Sequence, residues 1–346
     1  MDPVSSQLRI FRLRVPPFAP TADPGHCYAT PVPRSCLYRL CNSIDERHGI
    51  AVVLGGYGTG KTTLLRKLMV GMASDPARYN TAVVGSPVPS WTSFSLLEAI
   101  VAQFRLHPSK RSFAAYMEAL NNYLLKSRDR ISTLIIDDAQ NLNKRGQLEL
   151  LRLVQNLETP QHKLLNLVLF AQMEWIQVLR AAPNFLQRVN MTYTLSPLRV
   201  EELSRFIEFR ISQAGGTGQH APRFTPEAVK MIHAYSEGNP RVVVTVCRNA
   251  LLTAAQLKRE TIDDDLVLHT IEKTTVPDQA KLARAVGAVH PAEALAAEAP
   301  RPAFTAPVEA YDERPVIADD SISGRPMSRD ERANELLLRA SKQRQR

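Results

Sequence analysis

Gly55-Gly-Tyr-Gly-Thr-Gly-Lys-Thr62 is the stretch on which the reading of this chain turns. It has the form G-x-x-x-x-G-K-[ST] and lies between a short apolar run, Ile50-Ala-Val-Val-Leu54, and a helical pattern that runs to Ala73. A strand, a glycine loop and a helix in that order form a cradle for phosphate. Glycines let the backbone wrap closely with its N–H groups turned inward, and the helix directs the positive end of its dipole at the anion. Gly55, Gly56, Tyr57, Gly58, Thr59, Gly60, Lys61, Thr62 and Thr63 are the candidate lining. Lys61 would neutralise the β/γ-phosphate charge, and the Thr62 hydroxyl would coordinate Mg²⁺. The expected ligands are ATP and Mg²⁺.

Outward from the loop, strands alternate with helices. Further strands are expected at Thr81–Val84, Thr133–Ile136 and Leu165–Phe170. Helices are expected from Ser35, at Ser95–Phe104, at Phe113–Lys126 and at Gln147–Leu157. The alternation predicts a parallel sheet covered on both faces, an α/β core of the phosphate-loop NTPase type. The third strand runs into Asp137-Asp138, roughly seventy to eighty residues after the loop. An apolar strand ending in an acidic pair suits Mg²⁺-assisted hydrolysis. Asp137 would hold the metal shell, and Asp138 would orient the attacking water. After Pro197 the strand signal fades, and Val200–Gln213, Pro226–Tyr235 and Arg241–Leu257 read as amphipathic helices of a second, all-helical domain. The expected organisation is an extension over 1–34, a core over 35–198, a helical lid over 199–275, a disordered linker over 276–327 and a basic tail helix over 328–346.

The run Asp137-Asp-Ala-Gln-Asn-Leu142 resembles the IDEAQNL signature of ExeA-like AAA ATPases, which occur in general secretion, pilus biogenesis and DNA transposition. PPFAPTADP before CYATP, LRLVQNLET, FLQRVNMTYTLSPLRVEE and FTPEAVKMIHAYSEGNPRVVVTVCRNALLTA are similar to family segments in the same order, so the resemblance covers about residues 10–270. It implies three further roles. Gln172 falls where the family has its sensor-1 residue, Arg188 is a candidate arginine finger for a neighbouring subunit, and Arg241 matches the sensor-2 arginine. Without the resemblance, each is a polar residue near a strand or helix end, which a solvated side chain also explains. Asp138 stands where the family usually has Glu. One methylene draws the carboxylate back by about 1.5 Å, and a misplacement of about 1 Å can lower a rate roughly 100-fold. Slow hydrolysis is expected unless a backbone shift or a second water compensates.

The 43 Lys and Arg against 34 Asp and Glu give +9 and a pI near 9.5. That balance suits an anionic partner such as double-stranded DNA, and equally an ordinary charged surface with a basic tail. Lys110-Arg111, Lys126 to Arg130 and Lys144-Arg145 are candidate DNA contacts or solvated loop charges. Cys27, Cys36, Cys41 and Cys247 lack zinc-site spacing and read as thiols of a reducing compartment. With no apolar run of membrane length, the chain is expected to be cytoplasmic. Two roles remain open. One is an oligomeric, ring- or spiral-forming regulator of DNA transposition. The other is an ATPase of secretion or pilus assembly. In either, the tail Ser328–Arg346 could dock a transposase or an apparatus protein.

Overall fold

In a computed structural model, residues 8–19 and 30–274 are described. In chain order the elements are α1 (Pro31–Asp45), β1 (Ile50–Gly55), α2 (Lys61–Ala73), β2 (Tyr79–Val84), α3 (Ser93–Gln103), α4 (Phe113–Lys126), β3 (Ile131–Ile136) and α5 (Arg145–Gln155). They continue with β4 (Leu165–Ala171), α6 (Trp175–Arg180), α7 (Pro183–Leu186), β5 (Val189–Leu195), α8 (Val200–Gln213), β6 (Arg223–Phe224), α9 (Pro226–Ser236), α10 (Pro240–Gln256), β7 (Thr261–Ile262) and α11 (Asp264–Thr274).

The five long strands form one parallel sheet in the order β2-β3-β4-β1-β5. Side chains alternate across the pleat. Ile50, Val52 and Leu54 therefore face a core built with α3 to α7, while Ala51 and Val53 face a second core under α1 and α2. Burial on both faces explains why β1, β3 and β4 read as unbroken apolar runs. β5 was not foreseen. It is one of the two edge strands of the sheet, with Asn190, Thr192 and Thr194 exposed, and Val189-Asn-Met-Thr-Tyr-Thr-Leu195 alternates apolar and polar residues to match.

Helices α8 to α11 enclose a third apolar cluster. The helical lid expected for this region is present, with one small addition. β6 and β7 pair in parallel over two residues, a pairing too short to leave a sequence pattern. Residues 8–19, which fall in the expected N-terminal extension, insert Phe11, Leu13 and Phe18 into the same cluster. The Arg14 N–H donates to the Ala214 carbonyl at 2.7 Å, and Phe18 meets Phe224 edge to face, with ring centroids 6.3 Å apart. Most of that segment is irregular, so it shows no period, yet its apolar side chains complete the lid core. The expected linker 276–327 and tail helix 328–346 lie outside the described residues. Among the described residues, no helix is long and apolar enough to cross a membrane.

Candidate nucleotide site

The carboxyl ends of β1, β3 and β4 lie side by side, where open parallel sheets bind ligands. Each delivers part of the site. From β1, Gly55 opens the loop, which ends at Gly60, the residue preceding α2. Buried Lys61 donates from Nζ to the carbonyls of Gly55 at 2.8 Å and Gly56 at 2.9 Å. Thr59 Oγ1 also donates to Gly56 O, at 2.9 Å. Burial draws the Lys61 pKa below the usual lysine range, against the opposing pull of Asp137, Asp138 and Glu174. Thr63 follows half-buried on α2, and Tyr57 is exposed.

β3 delivers the acidic pair. Thr62 Oγ1 donates to Asp137 Oδ2 at 3.0 Å, which brings together two residues far apart in sequence. Burial raises the Asp137 pKa, and the nearby Asp138 charge adds to this. The Thr62 hydroxyl, the Asp138 N–H and Lys61 act in the opposite sense. Asp138 has φ 52° and ψ 39°, a left-handed conformation uncommon for a residue with a side chain. Its Oδ2 accepts from Ser86 Oγ at 3.1 Å and its Oδ1 from Gln140 Nε2 at 2.9 Å. A carboxylate offers about four lone-pair positions, so both oxygens keep room to accept from a water.

From β4 comes Gln172, half-buried directly after the strand. Its N–H donates to Gln140 Oε1 at 3.2 Å, so one amide side chain bridges the ends of β3 and β4. The lid contributes Arg241, exposed on the first turn of α10, whose N–H is capped by Asn239 Oδ1 at 3.0 Å. Ser86, Gln140, Glu174 and Asn239 were not foreseen. Ser86 and Gln140 lie close to the recognisable motifs, but their hydrogen bonds depend on how strands and turns converge.

Arg188 stands apart from this constellation. β1 pairs with β5 from Ile50↔Val189 to Gly55↔Leu195, so Arg188 sits at the amino end of the pair and the loop at the carboxyl end. Six strand residues separate the ends by roughly 20 Å. There Arg188 Nε donates to Asn156 Oδ1 at 3.3 Å and Nη1 to Asn184 O at 2.9 Å. It lines a polar groove with His48, Gln155, Glu158 and Lys163.

Two of the three basic candidates lie together. Lys144 Nζ donates to Ser90 O and Trp91 O, each at 3.2 Å, and Arg111 pairs with Glu98 at 2.7 Å over the Phe94 ring. Both pairs therefore flank the start of α3. The third, Lys126 to Arg130, precedes β3 at the amino end of the sheet, where Arg47 Nη2 donates to Arg128 O at 2.7 Å and Arg130 O at 3.0 Å. Trp91 packs half-buried against the core. Cys36, Cys41 and Cys247 are free thiols, and the described residues hold no group of three or more metal-ligating side chains.

A parallel sheet ordered in this way, with a glycine loop after β1, an acidic pair after β3 and a helical lid reaching the loop, defines a phosphate-loop protein of the AAA class. The AAA domain family model matches residues 44–179. The general secretion pathway protein A of Aeromonas hydrophila is 31% identical over 277 residues, 78% of this chain and 49% of that protein. The chain thus spans about half the length of this curated relative. Over that span it is similar to the ExeA-like AAA ATPases. Among solved structures, Cdc6p from Pyrobaculum aerophilum matches with a TM-score of 0.56 and 19% identity, over 74% of this chain and 70% of that one. The Aeropyrum pernix ORC1 protein in complex with DNA matches with a TM-score of 0.53 and 20% identity, over 71% and 66%. These likenesses establish the fold.

Proposed function

We propose that this chain binds ATP with Mg²⁺ at the carboxyl edge of its sheet, hydrolyses it, and uses the cycle to assemble copies of itself on double-stranded DNA. The observation that carries the ATPase reading is the 3.0 Å hydrogen bond between Thr62 and Asp137 across the loop. A hydroxyl and a carboxylate are the hard oxygen donors that suit Mg²⁺, which takes one or two protein ligands and fills its shell with phosphate and water. Bound there, Mg²⁺ would supply charge neutralisation on the phosphate oxygens. Lys61 would exchange two carbonyl hydrogen bonds for charge-assisted bonds to phosphate, which are about twice as strong as neutral ones. Asp138, aimed by Ser86 and Gln140, would orient the attacking water, with Gln172 beside it and Arg241 reaching from the lid. Arg188 is too far from its own loop to serve it, and in this reading completes a neighbour's site in a ring or spiral. A reducing, cytoplasmic location fits the free thiols.

The DNA reading rests on Lys110-Arg111 and Lys144-Arg145 lying around one helix start, a surface that assembly would repeat. The ORC1 structure of the same fold contains DNA, which supports a duplex on this scaffold. Fluorescence anisotropy on a labelled duplex, with and without a non-hydrolysable ATP analogue, tests it. Binding should tighten with the analogue, and the slope of log affinity against log salt should shrink when Lys144 and Arg145 are both changed to Ala, by about 0.9 for each phosphate that is no longer neutralised. The relationship to a general secretion protein favours a second reading, an ATPase that serves a secretion or pilus apparatus through the tail Ser328–Arg346. DNA binding that is absent with the analogue, or abolished by removing the tail, would select that reading.

A further inference from the structure

A side chain of the lid holds the phosphate loop. Asn239 Nδ2 donates to the Tyr57 carbonyl at 2.7 Å, while its Oδ1 accepts from the Arg241 N–H at 3.0 Å. These two bonds settle which end of the amide is which, because reversing it would set oxygen against carbonyl and NH₂ against N–H. Asn239 itself is held from behind. The Gly238 carbonyl accepts from the Leu198 N–H at 2.8 Å, and His233 Nε2 lies 3.0 Å from the Leu198 carbonyl. Gly238 has φ +71°, and a Cβ there would overlap Leu198 O, so only glycine lets the lid turn come this close to the end of the core. On the loop side, Gly58 has φ +73°, and a Cβ would overlap Asn239 Oδ1 and crowd Arg241 Cβ. The lid is seated on the loop, with both backbones shaped around Asn239.

With Asn239 included, three successive loop carbonyls have donors. Lys61 serves Gly55 and Gly56, and Asn239 serves Tyr57. A peptide unit is planar, and in the trans form its C=O and N–H point in opposite directions. Holding the Tyr57 carbonyl toward the lid therefore turns the Gly58 N–H away from the lid, to the other side of the loop. Building on the ATP-site reading above, we infer that Asn239 is a positioning residue for nucleotide binding. It orients the Tyr57–Gly58 peptide so that the Gly58 N–H is presented to phosphate, and it makes nucleotide affinity depend on the lid being docked. The residue that caps Arg241 also shapes the loop, so arginine and loop move as one unit.

The test separates the latch from the helix cap. Asn239→Asp keeps an oxygen to cap α10 but replaces the donor facing Tyr57 O with a repelling carboxylate. Asn239→Ser keeps a capping hydroxyl that is too short to reach Tyr57. In the full chain, titrated with fluorescent ATP and ADP analogues, Asn239→Asp should weaken both by about tenfold and Asn239→Ser by about threefold, the scale of a broken hydrogen bond, with melting temperatures unchanged. The equal effect on ATP and ADP marks action on the loop, since the sensor-2 role that the family resemblance implies for Arg241 is contact with the γ-phosphate, so a fault in Arg241 alone would fall on ATP. Wild-type affinity in Asn239→Ser, or in a folded Asn239→Asp, overturns the inference. So does a weakening confined to ATP. Lys61→Ala serves as the control: if it binds nucleotide like the wild type, the ATP-site reading fails, whatever Asn239 does.

Discussion

The two ends of the parallel sheet are built on different terms. At the carboxyl end, β1, β3 and β4 bring Lys61, Thr62, Asp137, Asp138 and Gln172 together, and the two charged groups nearest the loop, Lys61 and Asp137, both have pKa values displaced by burial. At the amino end, Arg188 is tied to Asn156 and to the Asn184 carbonyl in an open polar groove. The first region gathers most of the residues proposed for the nucleotide site within one chain. The second holds a cation in place far from the loop it would have to serve. A strand cannot present both of its ends to one ligand, so if both regions serve one reaction, a second copy must supply one of them.

Mixing variants is the sharpest way to break that comparison. Arg188→Ala should lower ATPase activity by about a thousandfold, the low end of what an arginine finger contributes, while nucleotide affinity stays the same. Asp138→Asn should lower hydrolysis by about a hundredfold or more, because it removes the carboxylate proposed to orient the attacking water. Neither variant should hydrolyse ATP appreciably alone. Mixed, they should recover part of the activity, because interfaces then form between an intact finger and an intact acid. A steady-state assay showing no recovery, or a fully active monomeric Arg188→Ala in light scattering, would leave the two ends unconnected.

Asp138 sharpens the carboxyl end by itself. If its short side chain limits the rate, Asp138→Glu should raise hydrolysis by up to about tenfold, within the roughly 100-fold range that an ångström of misplacement can cost. A slower Glu variant in the same assay would mean that Ser86 and Gln140 have built the site around aspartate.

The smallest effect concerns stability. A carboxyl group whose pKa is raised by folding stabilises the fold when protonated, and that contribution is lost as pH rises through the raised pKa. At neutral pH the ionised Asp137 is therefore a cost to the nucleotide-free protein. Asp137→Asn should raise its melting temperature by about 2 °C, and the gain should shrink as pH falls and the wild-type carboxyl also protonates. The same variant should hydrolyse ATP poorly. Melts at several pH values without nucleotide or metal check the sign. A destabilised Asp137→Asn at neutral pH would show that the Thr62 hydrogen bond outweighs desolvation.

What could be read along the chain was local. The loop Gly55–Thr62 announces itself because glycine placement, a preceding apolar strand and a following helix are all contiguous. The buried strands β1, β3 and β4 were legible because burial on both faces demands unbroken apolar runs. Strand β5 and helix α11 were missed although each carries its period: Val189–Leu195 alternates apolar and polar residues, and α11 buries Leu266, Val267, Thr270 and Ile271 on one face. Arg188 and Arg241 needed the family resemblance to stand out, because a single arginine carries no pattern. Tertiary structure alone decided the rest. It ordered the strands so that β4 lies between β1 and β3, seated residues 8–19 in the lid, let Gln140 bridge Asp138 to Gln172, and brought Asn239 to Tyr57. Hydrogen bonds between residues distant in sequence depend on how strand ends and helix starts converge, and no window on the chain records that convergence.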